Sequence, residues 1–380
     1  PSIFIPRGYP SGARFATDPA WSTFPPMSYA VGLIGAGPIG IEMATVLKRA
    51  GVSYVHLESG AIGETITRWP RNTQFFSSPE WIAISGAPIQ TQGQEIVTGE
   101  HYLAYLRQVV EQFELDVHSY EPVTEVTGEK GAFTLHTRTH AGWKQSYEVE
   151  NIILATGDMN TPRKIGVPGE ELPHVTHYWK DPHLWFQKRL LIVGGRNSAV
   201  EAALRCWRAG VKVAISYHGE KLDEKRLISR LHLEIDLLIK NGQIDFYPKT
   251  RPVRLEPGRS ILSRTAGGTT EELTVDNDFV YLATGFLMDQ SLYRQLGVEL
   301  VEEVERPVHD RETMESNVPG VYVVGTSIGG NQRGYKVFIT TSHEHCVKAA
   351  RAIAPAAQIS ERWVGNHPAR DYPLSSKDVE

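Results

Sequence analysis

Cysteine is close to absent: the 380 residues include only Cys206 and Cys346. They stand 140 positions apart on segments that both read as helices. Neither a C-x-x-C redox pair nor a metal cluster can be assembled from local sequence, and two ordinary semi-buried thiols are the simpler expectation. Basic residues are not in excess either. With 39 Lys and Arg against 44 Asp and Glu the formal net charge is -5, without a long cationic run, so a nucleic-acid partner is not expected. No apolar stretch approaches the ~18 residues that span a bilayer, and the N-terminus lacks the continuous apolar core of a secretory signal. The expectation is a cytoplasmic protein with no membrane partner and no metal.

What the chain does have is length for two or three cores and a repeated pattern. The stretch "YAVGLIGAGPIGIEMATVLKRAGVSYVHLES" from Tyr29 reads as strand, glycine turn, amphipathic helix and strand. A helix is predicted from about Glu100 to Leu115, then alternating segments forming a β-meander that ends in one buried strand and Ala155-Thr156-Gly157. A second βαβ unit starts at Arg189. It is followed by a predicted helix from Leu222 to Lys240 and a buried strand ending in Ala283-Thr284-Gly285. The strand "GVYVVG" and a closing helix from about Val337 to Ile353 complete the pattern. Two βαβ halves that each end in A-T-G form an internal repeat. The boundaries that follow are an extension at 1–26, a first dinucleotide domain at 27–162, a second at 163–282, a return to the first at 283–358 and a polar tail at 359–380.

In the first turn Gly35, Gly37, Pro38 and Gly40 stand in G-A-G-P-I-G. The first glycine permits the tight turn, the second lets a pyrophosphate approach the backbone, and the third lets helix and strand pack closely. Glu58 closes the next strand about 20 residues on, where a carboxylate accepts ribose hydroxyls. The second turn, Gly194, Gly195, Arg196, Asn197, Ser198 and Ala199, is a degraded version with Arg and Ala in place of two glycines. Its following strand ends in Ser216, Tyr217 and His218 rather than an acid, and His218, Lys221, Lys225 and Arg226 are cationic or able to become so. That favours NADPH over NADH. Two dinucleotide sites in one chain have a simple chemical use: one cofactor delivers hydride, and a flavin held in the other accepts it.

These features resemble the two-dinucleotide-domain flavoprotein superfamily that includes the low-molecular-weight thioredoxin reductases. The resemblance implies an α/β fold of two Rossmann-like three-layer domains, with FAD on the first turn and NADPH on the second. It also implies A-T-G crossings between the domains and a late strand and helix closing over the flavin. In thioredoxin reductases C-x-x-C-D precedes the second turn. Ungapped alignment on Gly194 puts His177-Tyr178-Trp179-Lys180-Asp181 there, so the chain has no internal dithiol at that place. Within the superfamily the sequence is most similar to the bacillithiol disulfide reductase (YpdA-type) family, through "TQFFSSPE", "VPGEELPHVTHYWKD", "IVGGRNSAVEAAL", "DFVYLATG" and "ETMESNVPGVYVVG". That family carries a cysteine in its first turn after the proline, where this chain has Ile39, so mixed-disulfide chemistry is not carried over. The late Gly-Asp that holds the flavin ribityl in thioredoxin reductases is Gly325-Thr326 here.

The expected activity is transfer of electrons from NADPH through flavin to a small-molecule acceptor, such as a low-molecular-weight disulfide. Phe75, Phe76, Ser77 and Ser78 are expected to border the flavin. The N-terminus of the last helix at Lys336 and Val337, with Arg333 nearby, is expected to face the flavin N1 and O2 region. His177 and Tyr178 are candidate proton donors, and Trp179 a stacking partner. His343 and Cys346 share a helical face, with His345 beside them, and packing is the simpler role for all three. Relatives of this architecture are commonly homodimers. Two alternatives stay open. A flavin-containing monooxygenase uses the same turns, although its F-x-G-x-x-x-H bridge is met here only by Val167, Gly169 and Pro173, with His174 one residue late. A non-catalytic flavin- or NADPH-bound redox sensor is the other.

Overall fold

A computed structural model describes residues 28–92, 96–266, 269–301, 303–331 and 336–365. The extension at 1–26, Arg333 and the end of the tail lie outside the described residues. The first domain opens with β1 (Ser28–Ile34), α1 (Pro38–Arg49) and β2 (Tyr54–Leu57), with β1 and β2 parallel and Ile34 opposite Leu57. Pro38 occupies the first turn of α1, where its missing N–H costs nothing. Two short helices, α2 (Glu64–Thr67) and α3 (Pro79–Ile82), lead to α4 (Gly99–Gln112), whose first turn is capped by the Thr98 hydroxyl accepting from His101 N at 3.3 Å. The meander is β3 (Val123–Thr127), β4 (Phe133–Arg138) and β5 (Lys144–Leu154). The first half of β5 pairs antiparallel with β4, while along its other edge it runs parallel to β1. Buried apolar clusters lie on both faces of this sheet.

The chain crosses through β6 (Thr161–Pro162) and β7 (Val175–Thr176) into the second domain. There β8 (Arg189–Val193), α5 (Asn197–Arg208) and β9 (Lys212–Tyr217) repeat the βαβ unit. The next elements are α6 (Ser229–Lys240), β10 (Asp245–Pro248), the antiparallel ribbon β11 (Thr250–Glu256), β12 (Arg259–Ala266) and β13 (Thr269–Asp276), and β14 (Phe279–Leu282). The sheet runs β10-β9-β8-β14-β7. Helices cover one face, while Leu255, Leu262 and Val275 of the ribbon pack with Leu191, Val280 and Leu282 on the other. The return passes through β15 (Phe286–Leu287), which pairs antiparallel with β6, then α7 (Ser291–Leu296), β16 (Leu300–Val301), β17 (Arg306–Pro307), β18 (Val321–Val323) and α8 (His343–Ile353). β18 joins the second half of β5 in the first sheet.

Three expectations are corrected. The helix from Leu222 is a 3-10 turn at Glu224–Arg226 and then α6 from Ser229. Asp223 accepts from Lys225 N, and Ile228 N donates to Asn197 Oδ1, so local and tertiary bonds break the helix. The closing helix starts at His343, not Val337. Ile339–Thr341 form a 3-10 turn in which Thr341 Oγ1 accepts from Phe338 N, and stiff β-branched residues there disfavour an earlier helical start. The tail expected from 359 is packed as far as 365: Ile359 and Val364 are buried, and Gly86 N donates to Gly365 O at 2.7 Å. Beneath this segment Glu42 of α1 is fully buried. It accepts from Ser85 N and Gly365 N and lies 2.8 Å from His343 Nδ1.

Candidate functional site

The first turn leaves β1 at Gly35, whose φ of +107° suits glycine. A Cβ there would sit 2.5 Å from the carbonyl oxygen of Ala155. Gly40 is where helix meets strand, and a Cβ would run into the Gly35 carbonyl. Gly37 differs. Its φ of -73° admits any residue, and nothing lies within 4 Å of where its Cβ would be, so the protein itself leaves bare backbone exposed at the start of a 12-residue helix. That is the shape and polarity a pyrophosphate requires. Glu58 is buried at the end of β2, with one carboxylate oxygen 2.6 Å from Ala36 N and the other 2.7 Å from Gly60 N. The first oxygen, Oε2, keeps a lone pair for a ribose hydroxyl, while Oε1 also accepts from Ser59 Oγ at 3.2 Å. His56 fixes the turn from behind: its Nε2 donates to Gly35 O at 2.9 Å, and burial lowers its pKa to about 4, so the ring is neutral. These residues fit the ADP half of FAD.

The cradle continues where two strands run out side by side. Ala155-Thr156-Gly157 follow β5, and Gly325-Thr326 follow β18. The absent Cβ of Gly157 would lie 3.8 Å from Thr326 Oγ1, and Thr156 Oγ1 is 2.9 Å from the hydroxyl of buried Tyr293. Gly325 has φ +78°, and a Cβ on it would be 3.2 Å from that of Ile39. Its N–H donates to His345 Nδ1 at 3.2 Å, and burial, then nearby cationic groups, bring the His345 pKa down to about 3. Cys346 Sγ is 3.6 Å from Ile39 O. Burial and then Glu42 push its thiol well above the ordinary range, while burial takes Cys206 to about 12. Neither thiol is poised as a nucleophile.

The bordering loop divides. Phe75 turns inward against Trp69 and Tyr102, with centroids 4.8 and 4.6 Å away, whereas Phe76 is 68% exposed and Ser77 half-buried. Ser78 Oγ donates to Glu80. Lys336 is exposed and Val337 half-buried on the segment before the 3-10 turn. The expected helix N-terminus is therefore not at these two residues.

In the second turn Gly194 has φ +145°, and a Cβ would meet Ala283 O at 2.5 Å, repeating the relation of Gly35 to Ala155. Gly195 lies under the ring of Tyr217, which also covers Gly219. Asn197 Oδ1 accepts from Ile228 N, and Ser198 is exposed in the first turn of α5. Thr284 Oγ1 donates to Arg163 O, and Arg163 N to Gly285 O, so the second A-T-G locks the crossing. His218 is exposed at the end of β9. Its pKa is lowered by partial burial and then by Arg251, Arg226 and Arg196. Sequence reasoning named Arg226 but missed Arg196 and Arg251. Arg196 stood in plain sight inside the turn, whereas Arg251 lies on a ribbon strand whose position no local pattern reveals.

The crossing that replaces the dithiol is mostly structural. His177 Nε2 lies 3.1 Å from Glu170 Oε1 but out of line for a hydrogen bond, and Glu170 already accepts from Ile165 N and Gly166 N. Trp179 packs edge-on against Trp185 and Tyr281. Tyr178 is the exposed member at 41%, with Phe286 5.9 Å from its ring and the Arg68 guanidinium of the first domain 5.9 Å above it. Nearby Arg205 of α5, held by Glu201, donates to Arg71 O across the domain boundary.

Fold and site together define a two-dinucleotide flavoprotein oxidoreductase that uses FAD and NADPH. The family model for pyridine nucleotide-disulphide oxidoreductase matches residues 33–325, and the chain belongs to that family. It is 33% identical over 329 residues to bacilliredoxin reductase Bdr of Bacillus subtilis, covering 85% of this chain and 96% of that one. The solved structure of bacillithiol disulfide reductase Bdr (YpdA) from Bacillus cereus is similar with a TM-score of 0.82 and 31% identity, covering 87% of this chain and 100% of that chain. A thioredoxin reductase of Listeria innocua is 26% identical over 306 residues, 78% of this chain and 85% of its own. Among the described residues no helix is long and apolar enough to cross a membrane.

Proposed function

We propose that this chain reduces a low-molecular-weight disulfide with NADPH, delivering the electron pair to the disulfide directly, without a protein thiol in between. The carrying observation is the pairing of two nucleotide cradles with a crossing that has no dithiol and a first turn that has Ile39. The likeness to proteins named for bacilliredoxin and bacillithiol disulfide supports this acceptor class. The overall balance is NADPH, a proton and RSSR giving NADP+ and two RSH. Bound FAD supplies the two-electron relay between nicotinamide and acceptor. The chain's own residues position and seal: Gly37 and the start of α1 take the pyrophosphate, Glu58 the ribose, and Thr156 and Thr326 offer hydroxyls to the ribityl end. Phe76 and Ser77 border the flavin. Lys336 and Val337, ahead of the 3-10 turn, are assigned to the same rim. Gly194, Gly195, Asn197, Ser198 and His218 hold NADPH.

Of the two proton donors assigned to the crossing, Tyr178 has the exposure the role requires, whereas His177 is half-buried beside Glu170. The same reading places the enzyme as a homodimer in the cytoplasm, a reducing compartment in keeping with two free cysteines.

The test is anaerobic stopped-flow reduction of the purified yellow protein by NADPH, followed by reoxidation with bacillithiol disulfide, other small disulfides, quinones and oxygen. Rapid reoxidation by a disulfide is the expected result. Reoxidation by oxygen alone, with substrate-dependent NADPH use, would replace this reading with a monooxygenase. No turnover with any acceptor would replace it with a redox sensor.

A further inference from the structure

Around the end of β9 the chain assembles positive charge from three separate elements. His218 follows β9, Arg196 is the residue before α5, and Arg226 ends the 3-10 turn before α6. The fourth group, Arg251, belongs to the ribbon rather than to the nucleotide-binding unit, and a chain of buried bonds brings it here. β10 lies parallel to β9, with Tyr247 opposite Ser216 and Pro248 opposite Tyr217. Lys249 takes a left-handed conformation, φ +56°, and its N–H donates to Gly219 O at 2.9 Å. Thr250, itself buried, completes the strap: its hydroxyl is 2.8 Å from that of buried Ser216 and 2.7 Å from Tyr247 O. Residues 249–251 are thereby fastened alongside 216–219, with Arg251 exposed. All three arginines act electrostatically on His218, with Arg251 the strongest among them. No carboxylate ends β9 to accept a free 2′-hydroxyl, and the acids that follow it, Glu220 and Asp223, are ion-paired with Lys249 and Arg226.

We propose that Arg251 is a specificity-determining residue for the nicotinamide cofactor: reaching over from the ribbon, it binds the 2′-phosphate of NADPH together with Arg196, Arg226 and His218. The proposal rests on the second cradle holding NADPH and is independent of which acceptor the enzyme uses. A guanidinium pairs with a phosphate through parallel charge-assisted hydrogen bonds that a neutral amide cannot replace.

The probes are 2′,5′-ADP, which carries the 2′-phosphate, and 5′-AMP, which lacks it, titrated calorimetrically into the FAD-loaded protein. Arg251→Gln is expected to weaken 2′,5′-ADP by about tenfold, the size of one charge-assisted bond, and to leave 5′-AMP within about twofold. Arg251→Lys is expected to recover part of the loss. Arg254→Gln, on the same strand but ion-paired with Glu256, is the control and is expected to change neither. In steady state, Arg251→Gln raises KM for NADPH, with kcat and the KM for NADH unchanged. Equal weakening of both nucleotides, or no change in either, overturns the assignment. Failure of the unaltered protein to bind either nucleotide overturns the NADPH seat itself, and loss of NADPH discrimination with disulfide turnover intact leaves the acceptor reading standing.

Discussion

Two neutral histidines are buried behind the flavin cradle, one on Gly35 and one on Gly325, and acid should open it. His56 donates to Gly35 O, and His345 accepts from Gly325 N. Burial holds their pKa values at about 4 and about 3, against an ordinary value near 6.5. Between these limits the unfolded chain binds protons that the folded one refuses. The stability contributed is therefore complete above about pH 6.5 and is lost as pH falls towards the folded values. At pH 5, about 1.5 units below the unfolded value, each histidine costs about 2 kcal/mol, and the pair about 4 kcal/mol. That is a large share of the ~5–15 kcal/mol that holds a typical domain.

The assay is urea unfolding from pH 7.5 to 5, followed by near-ultraviolet circular dichroism, with flavin fluorescence reporting FAD release in parallel. His345→Asn keeps an acceptor for Gly325 N, and His56→Gln keeps a donor for Gly35 O, but neither side chain titrates. Each substitution should remove about half of the acid loss, about 2 kcal/mol at pH 5, with little change at pH 7.5. Variants whose pH profiles superimpose on that of the unaltered protein would refute the reasoning.

Other outcomes follow from the glycine turn and the buried acid. Gly37→Val should leave the unfolding free energy of the FAD-free protein within about 0.5 kcal/mol yet weaken FAD binding at least about tenfold, because the space its side chain enters is the ligand's and not the protein's. Gly40→Ala should instead lower stability by about 1–3 kcal/mol despite alanine's helical preference, as a denaturation curve will register. Glu42→Ala strands the buried Ser85 and Gly365 amides and removes the His343 Nδ1 contact, and should cost about 2–5 kcal/mol, with residues 359–365 becoming sensitive to limited proteolysis. Ile39→Cys places a thiol beside Gly325 and should raise disulfide-dependent NADPH oxidation. Unchanged turnover would show that the acceptor pocket has no use for a thiol there.

The two cradles were legible in the chain because each is local. Gly35, Gly37, Gly40 and Glu58 lie within one βαβ unit, and their spacing states which backbone must be bare and which strand end must carry an acid. The degraded second turn, the missing dithiol and the A-T-G repeat were legible for the same reason, and so were the family and the cofactors. Local propensity misled at helix starts. A run of Val, Phe, Ile and Thr before His343 looked continuous with the helix it precedes, and Asn197, 31 residues away, captured an amide that would otherwise have begun α6 earlier.

What tertiary structure alone decided is which distant groups meet. Glu42 reaches His343 across 301 residues, Ile39 meets Cys346 across 307, and Arg251 joins His218 only because a ribbon strand is strapped to the nucleotide sheet through Thr250 and Ser216. Spacing reports bonds made within a turn or a strand pair. Contacts closed by packing across a whole domain leave no periodic trace, so the orientation of Tyr178 and His177, the burial of both thiols and the sharing of charge around the 2′-phosphate seat waited on the folded chain.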